Sequence, residues 1–223
     1  MKSLSAAEEN YLRTIYKLVT DGLEKVSTNE IAAAVNTKAA SVSDMLKKLA
    51  EKGLIDYKKY YGVSLTEEGK KTALFIIRRY RLWEVFLVDK LKFNWDEVNA
   101  IAEELEHVKA PLLVRRLDEY LGFPKFDPHG DPIPDEFGEL SDKPRITLQE
   151  VPVGQSGKIV AVSDTSANFL KYLDKVGIYI GAKVLVLEKI EYDGSQELFI
   201  DNQKKVFVSK EVATNIQVML HPN

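Results

Sequence analysis

With 223 residues, a formal net charge of −3, 45% hydrophobic and 29% charged residues, the chain has the make-up of an ordinary globular protein with room for more than one core. It has no cysteine, which excludes disulfides, zinc–thiolate sites and thiol nucleophiles. No stretch is long and apolar enough to cross a membrane, and the opening MKSLSAAEENYL lacks the apolar core of a signal peptide, so a cytoplasmic protein with no membrane partner is expected.

Residues 6–20 place Tyr11, Leu12, Ile15, Tyr16 and Val19 at helical spacing. Ser27 followed three residues later by Glu30 reads as a capping box that opens a short helix through Ile31 and Val35. Thr37 is the expected cap of a third helix, SVSDMLKKLAEKGL, which stops at Gly53 as its C′ residue. LIDYKKYYGVSLT then reads as two short strands around a turn near Tyr61-Gly62.

Helix, helix, turn, helix and a two-stranded wing is the order of a winged helix-turn-helix, whose recognition helix enters the major groove. Ala39, Ala40, Ser41 and Ser43 keep the start of that helix small enough to approach base edges, and Asp44 is its first longer side chain. Lys38, Lys47 and Lys48, with Lys58, Lys59 and Tyr60 on the wing, are candidate phosphate contacts. The competing reading is a winged helix used only for protein contacts.

Thr66, followed by Glu67 and Glu68, opens a long helix expected to reach about Leu91. Asn94 is expected to cap WDEVNAIAEELEHV, and Pro111 to start PLLVRRLDEYL, which ends at Gly122. Within EELEHV, the spacing predicts that Glu103, Glu106 and His107 share one helical face, two carboxylates and an imidazole that suit Mn²⁺, Fe²⁺, Co²⁺ or Zn²⁺. The bland alternative is a solvated acidic face. Past the proline-rich FPKFDPHGDPIPDEFGELSDKP, the runs SGKIVAVS, AKVLVLEKIEY, ELFIDN and KVFVS, with one inserted helix, SANFLKYLDKVG, suggest a small SH3-like β-barrel.

MKSLSAAEENYLRTIYKL, LTEEGKKTALFIIRRYRLWEVFL, EELEHV and FDPHGDPIP stand in the order and spacing of the diphtheria toxin repressor family, which the whole chain resembles, including the SH3-like (FeoA-type) tail carried only by longer members. That family comprises iron-dependent repressors and manganese transport regulators. The resemblance implies an α+β multidomain chain: a winged helix-turn-helix over 1–73, a helical metal-binding and dimerisation domain over 74–141, and an SH3-like domain over 142–223. It implies a homodimeric transcriptional repressor of metal-uptake genes that reads a palindromic operator in duplex DNA, with metal ordering the N-terminal helix.

By the same resemblance, the principal metal site falls on Glu103, Glu106 and His107, completed by Asn10, where relatives have Met or Asp. Glu103 stands where iron-responsive members have Cys and manganese-responsive members have Glu. The family's second site corresponds to Tyr80, Glu84 and Asn99, of which only Glu84 retains a ligand type, and ligands lent by the SH3-like domain would fall near Thr165 and Asn168. Manganese regulators also use an acid where this chain has Arg13. The expectation is therefore one divalent ion, Mn²⁺ or Fe²⁺, per subunit, with His129 of DPHGDPIP packing its loop. Two alternatives stay open: a regulator of the same fold that has lost metal control, and a metal-dependent enzyme working through Glu103, Glu106 and His107.

Overall fold

The structure, a computed structural model, describes residues 4–20, 25–58, 61–140 and 144–220. Two compact units emerge from the contacts: one built from residues 1–80, 103–114 and 134–140, the other from 81–102, 115–133 and 141–223. The winged helix-turn-helix and the small β-domain expected from the sequence are both present, and the helices between them contribute to each unit.

The first unit begins with α1 (Ala6–Thr20), which Ser5 caps: its Oγ accepts the Glu8 N–H at 3.3 Å while Glu8 Oε2 accepts the Ser5 N–H at 2.8 Å. Leu12, Ile15 and Tyr16 form its buried stripe. The Ser27–Glu30 capping box opens α2 (Thr28–Ala34) as expected. The cap of α3 (Ala39–Glu51) differs: Lys38, not Thr37, occupies the N-cap, and no side chain caps it. The Thr37 N–H is still bonded to the Ala32 carbonyl at 2.9 Å, completing a turn in which Asn36 is left-handed, so the helix starts one residue later. Gly53 follows α3 at φ +70°, as expected of a C′ residue.

The wing pairs β1 (Ile55–Lys58) with β2 (Gly62–Leu65) in antiparallel register, Ile55 opposite Leu65 and Lys58 opposite Gly62. Lys59 and Tyr60 lie outside the described residues. Val26 adds a bridge to Val63, and both join Leu12, Ile15, Ile31, Val42, Leu46, Leu49 and Leu54 in the core. Next, α4 (Glu67–Asp89) starts where the Thr66 hydroxyl accepts the Gly69 N–H at 3.0 Å. A Cβ on Gly69 would lie 1.7 Å from the Leu54 carbonyl oxygen, so only glycine lets α4 press onto the entry to the wing.

The helix expected over residues 95–108 is shorter: α5 is Val98–Leu105, and Glu106 and His107 sit in the turn beyond it. Pro111 begins α6 (Pro111–Tyr120) and drives Ala110 out of the helical region, so the chain must unwind before it. Of the three candidate ligands of EELEHV, Glu103 therefore lies in α5 and Glu106 and His107 in the turn that follows it.

The second unit is dominated by a six-stranded sheet of β3 (Ile146–Thr147), β4 (Ser156–Val162), β5 (Lys183–Lys189), β6 (Gln196–Ile200), β7 (Lys204–Val208) and β8 (Ile216–Leu220), in the order β3-β8-β4-β5-β6-β7. β4 is bulged between Ile159 and Ala161 where it pairs with β8, which bends the sheet around its core. Leu170 and Leu173 of α7 (Ala167–Val176) and Ala213 of α8 (Lys210–Thr214) close that core with Ile159, Val184, Val186, Leu198 and Val218. β3 and α8 escape the sequence reading because they are too short to show a period, and β8, as long as β6 and β7, escapes it too.

Candidate metal centres and nucleic-acid interface

In the first unit, α1, α4 and the segment from the end of α5 onward bring three acids together with three permanent cations and an imidazole. Glu9 Oε1 meets Arg79 Nη2 at 2.9 Å and Lys109 Nζ at 3.3 Å, and Glu9 Oε2 meets His107 Nδ1 at 2.7 Å. Arg13 Nη2 meets Glu103 Oε1 at 2.6 Å and its Nε lies 3.5 Å from Glu106 Oε1, while the guanidinium carbon sits 4.6 Å above the Tyr80 ring. Arg79 Nε also donates to the Glu106 carbonyl at 2.6 Å. Burial pushes the Glu106 carboxyl up to about 7, with Arg13 and Arg79 opposing the shift and Glu103 and Glu9 adding to it.

Three of the candidate ligands thus have cationic or acidic partners of their own. Glu103 and Glu106 hold Arg13, His107 holds Glu9, and the Asn10 Oδ1 is buried with no donor. The donor types suit a hard divalent ion, but in this arrangement the carboxylate pair already shares one cation, Arg13, although neither buried Glu106 oxygen receives a hydrogen bond.

Glu84 belongs to the second unit, where it meets two residues the sequence reading did not assign to metal. Among the described residues, Glu84, Asp127 and His129 are the acidic and imidazole group whose ligand atoms converge within 4.8 Å, and all three are buried. Asp127 Oδ1 accepts the N–H groups of His129 and Asp131, both at 2.9 Å, which shapes the DPHGD turn, and Arg81 reaches Asp127 Oδ2 at 3.3 Å. Gly130, at φ +87°, lets this turn lie on β4: a Cβ there would come 1.8 Å from the Val160 carbonyl oxygen, and the His129 carbonyl accepts the Val162 N–H at 2.9 Å.

The imidazole of His129 is oriented from one side. Nε2 is 2.9 Å from the Trp95 carbonyl, which can only accept, so Nε2 carries a proton and Nδ1 faces Glu84 Oε1 at 3.4 Å. The Trp95 ring stacks at 18° to the imidazole with centroids 6.0 Å apart. Burial would push the imidazole down, but the close Glu84 carboxylate, helped by Asp127, carries its pKa upward. Burial pushes Asp127 up as well, with Glu84 adding and Arg81 opposing. Both Glu84 carboxylate oxygens are buried and lack a hydrogen-bond donor. A buried carboxylate without donors beside a second carboxylate and a pre-oriented imidazole is a donor set that a divalent ion would satisfy, so the residues fit such an ion.

The family signals that pointed to Asn99 and Thr165 have become a packing contact: the Asn99 side-chain amide donates to the Thr165 carbonyl at 2.8 Å. The signal for Asp127 and His129 was present in FDPHGDPIP. What the sequence withheld was their meeting with Glu84, which depends on the turn being laid on the sheet.

The candidate nucleic-acid interface is the start of α3. Lys38, Ala39, Ala40, Ser41, Asp44, Lys47, Lys48 and, on the wing, Lys58 are all exposed. Ser43 is half-buried and its hydroxyl turns back to the Ala39 carbonyl at 3.1 Å, while Lys47 pairs with Asp44 at 3.0 Å. Val42, Leu46 and Leu49 bury the opposite face of α3, which fixes the helix against α1 and α2 with its small residues outward.

Three family descriptions match successive segments: the iron-dependent repressor N-terminal DNA-binding domain over residues 3–63, the iron-dependent repressor metal-binding and dimerisation domain over 66–135, and the FeoA domain over 146–220. A solved manganese-dependent transcriptional repressor in complex with manganese is 36% identical, with a TM-score of 0.89 over 96% of this chain and 100% of that one. The iron-dependent repressor IdeR of Mycobacterium tuberculosis (strain ATCC 25618 / H37Rv) is 29% identical over 98% of this chain and 99% of its own. The diphtheria toxin repressor of Corynebacterium glutamicum (strain ATCC 13032) is 28% identical over 91% of this chain and 95% of its own.

Proposed function

The chain belongs to the iron-dependent repressor family, and from that premise we propose that this metal-dependent, DNA-binding transcriptional repressor takes its signal as one divalent ion per subunit, held by Glu84, Asp127 and His129. The observation that carries the reading is the buried convergence of those three side chains, with both Glu84 oxygens lacking a donor. Two carboxylates and one imidazole, without sulfur, favour Mn²⁺ or Fe²⁺ over softer ions. The relatives are transcriptional repressors, and the chain is a regulator rather than an enzyme.

The ion would tie α4, through Glu84, to the turn that carries Asp127 and His129. It favours the DNA-competent arrangement by as much as its affinities for the two arrangements differ, a coupling of typically about 1–3 kcal/mol. The protein acts in the cytoplasm as a homodimer on a palindromic operator, with α3 of each subunit in the major groove and metal-uptake genes as targets. Lys38, Lys47, Lys48 and Lys58 would meet phosphates, and Ala39, Ala40, Ser41, Ser43 and Asp44 would face base edges.

A second reading places the ion on Asn10, Glu103, Glu106 and His107; the buried Asn10 Oδ1 and both buried Glu106 carboxylate oxygens, all without a hydrogen-bond donor, favour it. Selection of genomic fragments by the purified protein with Mn²⁺, with Fe²⁺ in the absence of oxygen, and with chelator separates these readings. Capture of palindromic fragments only with metal, lost in Glu84→Gln at the same metal concentration, is the expected result. Equal capture by wild type in chelator, or an unchanged metal requirement in Glu84→Gln, would overturn the assignment.

A further inference from the structure

The first-unit cluster is not simply a ligand set with a neighbour. Glu9, Glu103 and Glu106 lie within ion-pair distance of Arg13, Arg79 and Lys109, so each carboxyl faces a permanent cation before any ion is added. Arg13 is the cation at its centre. Its guanidinium bridges two carboxylates that come from the last turn of α5 and the turn after it, and lies against the face of Tyr80 on α4. One side chain of α1 thereby touches three segments of the unit.

We propose that Arg13 is a built-in counter-cation for Glu103 and Glu106, which fixes α1 to the end of α5 without a metal ion and keeps a divalent ion off that carboxylate pair.

Three physical points support this. A guanidinium is planar, permanently charged and able to engage two carboxylates and an aromatic face together, a task an ammonium performs poorly. The Arg13 side chain is 19% exposed and that of Glu106 is fully buried, so expelling Arg13 in favour of an ion would strip both carboxylates from a charge still largely removed from water. And Arg13 and Tyr80, two of the several positions at which the sequence departs from the family's ligand types, lie against each other at 4.6 Å. They form one contact in place of two ligands.

The inference rests on the reading of the second-unit cluster as the metal centre, and the experiment tests the two separately. Equilibrium dialysis of the full-length protein against Mn²⁺ alone gives the number of ions per subunit, and hydrogen exchange gives the attachment of α1. Wild type is expected to hold one ion, unchanged in Glu106→Gln and lost in Glu84→Gln. Its α1 amides are expected to be as protected in chelator as with Mn²⁺. Arg13→Ala is expected to gain a second ion on Asn10, Glu103, Glu106 and His107, to lose about tenfold or more of α1 protection in chelator, and to regain it with Mn²⁺. Arg13→Lys, which keeps the charge without the fork, is expected to stay at one ion. If wild type lost an ion in Glu106→Gln, or Arg13→Ala folded and gained none, the role of Arg13 would be refuted. If Glu84→Gln kept its ion while the Arg13 variants behaved as stated, only the assignment of the second-unit cluster would fall.

Discussion

His129 shows how much a single side chain can encode once its surroundings are known. The Trp95 carbonyl fixes a proton on Nε2 and leaves Nδ1 toward Glu84, so the surroundings set the orientation of the ring. From the sequence it reads as a residue that packs its loop, because the residues it meets arrive from α4 and from its own turn. Arg13 was equally opaque: its partner Glu103 lies 90 positions away, and no local pattern announces a pair at that separation. Their visible neighbours, Glu103, Glu106 and His107, were legible as acid–imidazole chemistry, but not the cation between two of them. At this scale His129→Gln is expected to weaken Mn²⁺ binding by more than the roughly 10–100-fold that loss of a supporting partner costs, read by titration calorimetry. Lys48→Ala is expected to weaken binding to every duplex by a similar factor and to lower the slope of log affinity against log salt by about 1. A loss confined to one sequence would instead make Lys48 a base reader.

The elements were the most legible level, because their ends are written in local chemistry. The Ser27–Glu30 box, Gly53 beyond α3 and the wing turn at Gly62 are backbone instructions carried by a few adjacent residues. α5 fell short of its expected length because Pro111, six residues past Leu105, forces the chain out of helix before it. The start of α1 has a second role. Glu8 completes its cap and pairs with Lys52, the C-cap residue of α3, at 2.7 Å. Burial alone would raise the Glu8 carboxyl, but Lys52 and Ser5 hold it below its ordinary value of 4.5. A carboxyl depressed in the folded state stabilises the protein above about 4.5 and loses that contribution as the pH falls through the lowered value. Glu8→Gln is therefore expected to cost about 1–2 kcal/mol at pH 7 and to shrink the gap to wild type under acid, measured by denaturant unfolding at both pH values. Gly69→Ala is expected to destabilise despite the gain of about 1 kcal/mol in helix propensity, since its methyl group would strike the Leu54 carbonyl. A rise in melting temperature would contradict that.

For the whole molecule, the order of winged helix, helical middle and small sheet could be read from the spacing of motifs, whereas the division of the chain into two interleaved units could not. Segments far apart in sequence contribute to each unit, and sequence spacing is blind to that. Leu112 is 58% and Leu113 41% exposed at the start of α6, an apolar pair that a second copy would bury if it packed there. Leu113→Asp is expected to give a monomer by sedimentation that still folds and has lost operator binding, because one winged helix cannot span a palindrome. A dimer that survives the substitution would place the interface elsewhere.

Gly130 carries a consequence for the ancestry of such regulators. The turn bearing Asp127 and His129 lies backbone to backbone on β4, so the small sheet is the floor on which two of the three residues of the proposed metal site stand. A lineage that deleted the C-terminal tail would not merely shorten its repressor; it would withdraw that floor and, with it, this way of holding an ion.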